Sequence, residues 1–547
     1  MSRMRSVVAR ANKQLTVQLA ATLLAGSTLV SLVLGLFRDR LLNSAYLPTE
    51  SAGLPGYPSG IDAYTAAFMV PDFMFFILVS GALSVTFIPV FNQRLGAGNK
   101  KSAWELSTSM INFMALITLV TSVLIIIFAD PLIRYVIAPG LNESAMGLAI
   151  SMTRVIAVNP FLFAIATVIA SIQQAVGRFT FYALAPTIYN IGIIIGLLVF
   201  TNGITIFGWE VFEGGIMGVA LGVVLGSIMQ LIVSSIGLLG LGFDYRFKIY
   251  WKNKGFRKVL SLLPARSLDQ GMDYLVGIVE TNLASRMAEG TLRIYNQATT
   301  LHMAPINLIG VAISTAAFPK MTERLSQGRP DLFRSELQTI LRVIIWLAMP
   351  VAAVTFFARG YLANFMKNGG EPLMAGLLGA LVVAILFRSI YFIAARSFYA
   401  QQDTKTPLII SIFAITLNIT LAVWFTMKHG MGAYGLAYAQ SIVSVFEVLI
   451  LFAVMQVRIK GIFDAPLLRA IWRMFLATLV MSVASYTTLQ IFQLQNNDQS
   501  FFATFPKFVI IVVVSAIVYL GMSKLLKLGE ADPVISRLRQ LLFARAR

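Results

Sequence analysis

Arg266, Asp269, Asp273, Gly277, Glu280 and Ala284 recur at three- and four-residue spacing inside a largely apolar segment, residues 259–288. On a helix these positions share one face. A charged side chain in the middle of a bilayer costs about 2.5–3.5 kcal/mol on insertion scales. A stripe of one arginine and three carboxylates therefore faces a wet cavity or another helix, not lipid. Two chemistries fit it. Asp269 and Asp273 can hold a coupling cation, Na+ or H+, with Asp403 a further acidic candidate. Alternatively, Arg266 with Asp269 and Glu280 with Arg286 form an ion-pair ladder that fixes helix packing.

Other charges sit at the ends or in the body of apolar segments. The first apolar run closes on Gly35-Leu36-Phe37-Arg38-Asp39-Arg40. An arginine there presents a planar, permanently charged fork that matches phosphate geometry. The competing role is a salt-bridge cluster of Arg38 and Asp39 with Asp62 or Asp72. Arg388 and Arg396 are two helical turns apart on one face of a later segment and point to a cavity or to headgroups. His302 lies in an apolar surrounding, where a hydrogen-bonded structural role is expected ahead of a proton switch. Asn190, Asn418 and Glu447 read as interhelical hydrogen-bonding groups.

The elements that position these residues are membrane spans. The 547 residues are 57% hydrophobic and 12% charged, with a mean hydropathy of +0.78. A soluble domain carries about 25% charge. The chain has no cysteine and only two histidines, His302 and His429, which removes disulfides, thiolate metal sites and a histidine relay from consideration. No phosphate-cradling glycine loop, nucleophile elbow or nucleotide-binding motif occurs, so no enzyme activity and no resident cofactor are expected. Energy for transport must come from an ion gradient or from the substrate's own gradient.

The net charge of +19 does not indicate nucleic acid. Basic residues cluster between apolar runs, as the positive-inside rule requires. Spans of about 20 apolar residues can be placed about fourteen times. Arg3, Arg5, Arg10 and Lys13 precede the first span and set the N-terminus in the cytoplasm. An even number of spans returns the C-terminus there. Most of the 43 Lys and Arg then fall in cytoplasmic segments; only Arg38, Arg40, Arg134, Arg293, Arg359, Lys367 and Lys428 lie in outer ones. The Pro-, Gly- and Ser-rich stretch 43–60 is expected as an outer loop.

An internal repeat organises the spans. Gln173-Gln174 and Asn190 recur as Gln401-Gln402 and Asn418 at one common spacing, and Ser84 and Pro89 recur as Ser314 and Pro319 at nearly the same one. The shift covers six spans, an even number, so orientation is preserved and the repeat is parallel, with a substrate cavity expected between its halves. The expected fold is an all-α polytopic membrane protein: an N-lobe at 1–240 (spans 1–6), a basic cytoplasmic linker at 241–258, a C-lobe at 259–456 (spans 7–12), spans 13–14 at 457–525 and a cytoplasmic tail at 526–547. Membrane lipids are expected partners. Pro71, Pro160, Pro186 and Pro305 inside spans imply kinks.

The segments Gly35-Leu-Phe-Arg38-Asp39, Asp62-Ala63-Tyr64 with Ala67-Phe68 and Pro71, Gly81-Ala82 and Phe87-Ile88-Pro89 resemble the MurJ/MviN lipid II flippases of the multidrug/oligosaccharidyl-lipid/polysaccharide exporter superfamily. Arg178-Phe179, Ala185-Pro186-Thr187, Asn190 and Phe398-Tyr399-Ala400 leading into Gln402-Asp403-Thr404-Lys405-Thr406-Pro407 extend the resemblance over nearly the whole chain. It implies a V-shaped pair of six-helix lobes around a cationic cavity, a terminal helix pair grooved for a polyprenyl tail, and alternating access in the bacterial inner membrane. The substrate it implies is a polyprenyl-pyrophosphate-linked peptidoglycan precursor, with cell-wall synthesis enzymes as possible partners.

Several family charges are replaced. Leu32 stands where the family carries a second arginine on its first helix, Phe75 and Phe76 where it has a basic pair, and Thr299, Thr300 and Met303 where it has an Asp-Arg pair and a following Glu. Arg266, Arg286, Arg293, Arg388 and Arg396 are the cations that could compensate. The other readings left open are a flippase for another lipid-linked oligosaccharide, a cation-coupled small-molecule exporter, and a non-transporting scaffold.

Overall fold

In the computed structural model the described residues are 17–47, 60–206, 209–495 and 498–543. The predicted loop 43–60 therefore falls largely outside them, although the first helix continues through Tyr46. Contacts group the chain into two compact units, Met1–Arg293 and Ile294–Arg547.

The first unit contains α1 (Val17–Tyr46), α2 (Gly60–Phe75), α3 (Gly81–Gly96), α4 (Lys100–Pro131), α5 (Glu143–Ile156), α6 (Asn159–Ala175), α7 (Thr180–Leu198), α8 (Met217–Ile236) and α9 (Lys254–Ser285). Helix starts follow capping chemistry written in the sequence. Asn99 accepts from the Ser102 amide at 3.0 Å, Asn142 from Ala145 at 2.8 Å, and Asn253 from Gly255 and Phe256 at 2.9 and 3.2 Å, each satisfying an amide that the helix itself leaves open. A short antiparallel hairpin, β1 (Ile204–Ile206) with β2 (Trp209–Phe212), lies between α7 and α8. It is the one departure from an all-helical chain among the described residues.

The second unit contains α10 (Thr291–Ile306, entering at its first turn), α11 (Ala312–Ser326), α12 (Pro330–Phe357), α13 (Arg359–Met366), α14 (Pro372–Ala400), α15 (Lys405–Val423), α16 (Ala433–Arg458), α17 (Ala465–Ile491), α18 (Phe501–Leu525) and α19 (Asp532–Phe543). Phe333, Leu337, Leu341, Phe398, Leu451 and Met474 meet in its core. The terminal pair α17 and α18 is tied together by Ser485 and Ser515, whose hydroxyls are 2.7 Å apart. It docks on α12 through the bonds Tyr519 OH to Trp346 O (2.7 Å) and Trp346 Nε1 to Ser523 Oγ (3.1 Å).

Thirteen of the described helical segments are long and apolar enough to cross a membrane, against the fourteen expected. The helix at the seventh place, α9, has 32 residues. Arg266, Asp269, Asp273 and Glu280 make it too charged to rank with the others. It also packs on α3 and α4 of the first unit, so contacts divide the chain after the seventh helix, whereas the linker expected from topology precedes it. The chain is a multi-pass membrane protein.

The repeat is visible in what its residues do. Gln173 Nε2 bonds the Ser234 carbonyl near the end of α8 at 2.8 Å, and Gln401 Nε2 lies 3.1 Å from the Met455 sulfur near the end of α16. Each glutamine ties the end of the fourth helix of its half to the end of the sixth. Near-equivalent π-helical turns, Phe76–Ser80 and Asn307–Val311, interrupt the second helix of each half after Pro71 and Pro305, where the i→i−4 ladder is broken.

Helices α7 and α8 cross through glycines. A Cβ on Gly192 or Gly196 would collide with the backbone of Gly226 or Gly222, so the close approach requires small residues on both sides. Gly222→Val is expected to force the pair apart and cost about 1–3 kcal/mol, the usual range for overpacking. Thermal unfolding of the detergent-solubilised protein measures this as a lowered midpoint.

Candidate functional site

The charged end of α1 organises a buried polar network in the first unit. Arg38 Nη1 donates to Asn190 Oδ1 on α7 at 2.9 Å, while its Nε and Nη2 donate to Asp39 Oδ1 at 3.1 and 2.9 Å. Asn190 is oriented by its own amide group, which donates to Ser31 O, Ser31 Oγ and Pro186 O, each at 3.2 Å. Its carbonyl is thereby left toward the guanidinium. The side of α1 that meets Asn190 is opened by Gly35, where an added Cβ would lie 3.9 Å from the asparagine.

Asp39 is shared. Arg293 Nη2 reaches the same Oδ1 at 3.1 Å, and Arg293 Nε donates to Asn43 Oδ1 at 2.9 Å. Asp62 engages the backbone instead of Arg38: it accepts from the Gly290 amide at 2.7 Å and the Arg293 amide at 2.8 Å. Asp72 makes no ion pair among the described residues. The expected cluster of Arg38 and Asp39 thus forms, but with Arg293 and not with Asp62 or Asp72. The reason is geometric, because Asp62 is consumed by two amides at the chain's exit from this unit.

Arg38 and Arg293 balance Asp39 and Asp62 in formal charge, but both guanidiniums converge on the one Asp39 carboxylate, while Asp62 is held by backbone amides. Arg38 uses three of its five N–H groups on Asp39 and Asn190. Its side chain is 22% exposed, against 6% for Arg293. Arg38 is the cation that can still receive an anion; Arg293 is the one that holds the network together.

The other predicted site residues divide. The side chains of Arg266, Asp269 and Asp273 lie outside the described residues. Glu280 is buried on α9, and Arg286, its expected partner, instead donates to Asn282 Oδ1 at 3.2 Å. The two arginines of α14 part company. Arg388 pairs with Glu447 on α16 at 3.3 Å, whose other oxygen accepts from Ser411 at 3.1 Å. Arg396 bonds Val311 O at 3.2 Å and Ser314 Oγ, bracing the π turn of the second unit. His302 is buried, with Nδ1 2.7 Å from Thr299 O, in keeping with a structural histidine.

The replaced family positions have local explanations. Phe76 lies 4.7 Å from the Tyr274 ring on α9, and Phe75 5.6 Å from Phe163 on α6; an aromatic contact stands where a basic pair was expected. Thr299 and Thr300 bond their own helix at Tyr295 O and Asn296 O, which satisfies their hydroxyls. Sequence reasoning missed Arg293 as a hub and Asn43 as its acceptor. Their partners lie some 250 positions away, so no local spacing could have exposed them.

Asp403, a cation candidate in the sequence, is occupied otherwise. It accepts from the amides of Lys405 and Thr406 at 2.9 and 3.0 Å and from the Thr406 hydroxyl at 2.6 Å, and pairs with Arg458 at 2.7 Å. Among the described residues no group of three His, Asp or Glu side chains could hold a metal ion. The Thr406 hydroxyl and amide, with the Arg458 guanidinium, hold this carboxyl well below its ordinary value of 3.8, against an opposing effect of burial. A depressed carboxyl contributes stability above its unfolded value and loses it as pH falls through the folded one. Asp403→Asn, which keeps an oxygen for the amides but loses the charge facing Arg458, is therefore expected to lower the melting midpoint at neutral pH, by up to about 1 kcal/mol for a partly exposed ion pair. The difference from the parent chain should close as pH falls below about 4.

Comparison with known proteins identifies the family and the fold. The family model of the lipid II flippase MurJ matches residues 56–507. The chain is 24% identical over 525 residues to the probable lipid II flippase MurJ of Thermotoga maritima, covering 93% of this chain and 97% of that one. It is 25% identical over 452 residues to the lipid II flippase MurJ of Burkholderia cenocepacia, with 80% and 83% covered. In fold it is similar to a solved lipid II flippase MurJ in an inward closed conformation, with a TM-score of 0.72, 24% identity, and 92% of this chain and 98% of the other covered. A MATE-family transporter in its inward-facing conformation aligns with a TM-score of 0.63 at 16% identity, covering 79% and 98%. With the family matched across most of its length, this chain belongs to the lipid II flippase MurJ family.

Proposed function

We propose that this chain moves lipid II across the cytoplasmic membrane, with Arg38 receiving the pyrophosphate of the substrate. It is a transporter and not an enzyme. The observation that carries the function is the family match over residues 56–507. The site rests on the convergence of Arg38 and Arg293 on Asp39, which leaves Arg38 with N–H groups beyond those it uses there. A polyprenyl tail can remain in hydrocarbon throughout, whereas the glycan–peptide head and its phosphates need a polar, positively charged path. An arginine with free N–H groups supplies paired donors for phosphate oxygens. Without a nucleotide-binding motif, transport draws on an ion gradient or on the substrate gradient.

The placement of basic residues supports an inner-membrane protein with both termini in the cytoplasm. Leu32, Phe75, Phe76, Thr299, Thr300 and Met303, uncharged where the family carries charge, favour a second reading in which another lipid-linked oligosaccharide is accepted. Reconstitution distinguishes them. Vesicles carrying the purified chain should expose labelled lipid II to an impermeant modifying enzyme faster than empty vesicles do. Movement of an unrelated lipid-linked oligosaccharide with none of lipid II would select the second reading.

A further inference from the structure

The segment between α8 and α9 is clamped to the first unit. Arg178 Nη1 bonds Leu239 O at 2.8 Å at its start, the Ser109 hydroxyl accepts from the Tyr250 amide at 2.8 Å, and Asn253 Nδ2 bonds Ser102 O at 3.1 Å at its end. At the centre Asn112 of α4 donates to Arg246 O at 2.8 Å and Lys248 O at 3.0 Å, while its own oxygen accepts from the Tyr245 hydroxyl at 2.6 Å. One amide thus grips the carbonyls on both sides of Phe247 and turns that residue outward. Leu241, Phe243 and Ile249 pack on the core. Phe247 is 93% exposed, a large apolar ring held in the open by a dedicated contact.

The position of this apex along α4 identifies its surroundings. The helical run Lys100–Ile137 has 38 residues, far more than the ~20 that span a bilayer. From Ser102 to Asn112 the helix is covered by the segment. Its bare apolar side begins at Leu116 and continues through Leu119, Val120, Val123 and Ile127. Leu116 lies one turn beyond Asn112, roughly 6 Å at 1.5 Å per residue. Phe247 therefore stands at the edge of the lipid-facing surface. Arg246 and Lys248 flank it, and Trp251, 56% exposed, follows with Lys252 and Lys254. Asp244, which pairs with Arg246 at 2.8 Å, is the one carboxylate in the segment.

We propose that residues 245–254 form a binding site for anionic phospholipid, in which Phe247 enters the boundary between headgroups and acyl chains and Arg246 and Lys248 meet the lipid phosphate. Aromatic rings favour that depth, and basic residues beside a membrane are drawn to anionic headgroups. The clamp by Asn112 removes the ordering cost that a flexible loop would meet on binding. This site is independent of the substrate reading above.

The chain has no cysteine, so Phe247→Cys provides a single point for an environment-sensitive fluorophore. The labelled full chain is reconstituted in phosphatidylcholine vesicles, and nitroxide-bearing phosphatidylglycerol or nitroxide-bearing phosphatidylcholine is added. Half-quenching is expected at an about tenfold lower fraction of the phosphatidylglycerol, the scale two basic side chains supply near an anionic surface. The preference should vanish with Arg246→Glu and Lys248→Glu together, and weaken with Asn112→Ala. Absence of quenching by either lipid, as for an apex in water or on a protein partner, overturns the proposal. Equal quenching by both lipids, or a preference that survives the two glutamates, overturns it as well.

Discussion

Arg38→Ala is expected to reduce lipid II movement in reconstituted vesicles by about a hundredfold, the scale on which losing one partner of a desolvated charge pair acts, while the protein still folds. The stability half follows from the network. Asp39 retains Arg293 at 3.1 Å when Arg38 is removed, so no carboxylate is stranded. Asn190 keeps its amide bonds to Ser31 and Pro186. The transport half follows from exposure, because Arg38 is the cation of this cluster with N–H groups in reserve. Arg38→Lys should recover only part of the rate, since an ammonium keeps the charge and loses the planar fork. Comparing flipping rates with melting midpoints for both variants checks the two halves separately.

Arg293→Met is expected to produce the opposite pattern, a loss of about 1–3 kcal/mol in stability, because Asp39 keeps Arg38 while the buried Asn43 oxygen loses its guanidinium donor. Its guanidinium bridges Asp39 and Asn43 and is 6% exposed, so water cannot replace it. Unfolding in detergent should show a large drop in the midpoint. Asp39→Asn alone should also cost stability, and the double variant should lose less than the sum, because the first change has already removed one of the contacts the second would break; a double variant as unstable as the sum would exclude coupling between the two.

These expectations show which features were written locally in the chain. The apolar runs and the distribution of Lys and Arg determine a multi-pass membrane protein without reference to contacts. The repeat was legible because Gln173 and Gln401 perform the same tie in each half. The end of α1 announced a salt-bridge cluster, and Arg38 and Asp39 form one; the phosphate role of Arg38 is the proposal above. The third member of that cluster was not legible. Arg293 looked like one outer-loop charge among several, since its role exists only after residues from distant parts of the chain meet. The partners of Asp62 and Asp403 were hidden for a related reason. A carboxylate in a motif reads as a ligand group, but backbone amides brought close by folding had already engaged both.

The charged α9 shows another limit. Its stripe signalled a helix with a polar job, yet hydropathy alone could not say that it packs with the first unit, where Phe76 meets Tyr274. That aromatic contact also gives Phe76 a physical role in packing.

The most direct measurement is growth of cells whose own lipid II flippase is switched off and replaced by this chain. The parent chain should restore growth, and Arg38→Ala, present in the membrane at the same level, should not. Growth restored equally by Arg38→Ala would contradict the role assigned to that arginine, and no growth with the well-expressed parent chain would contradict lipid II transport itself.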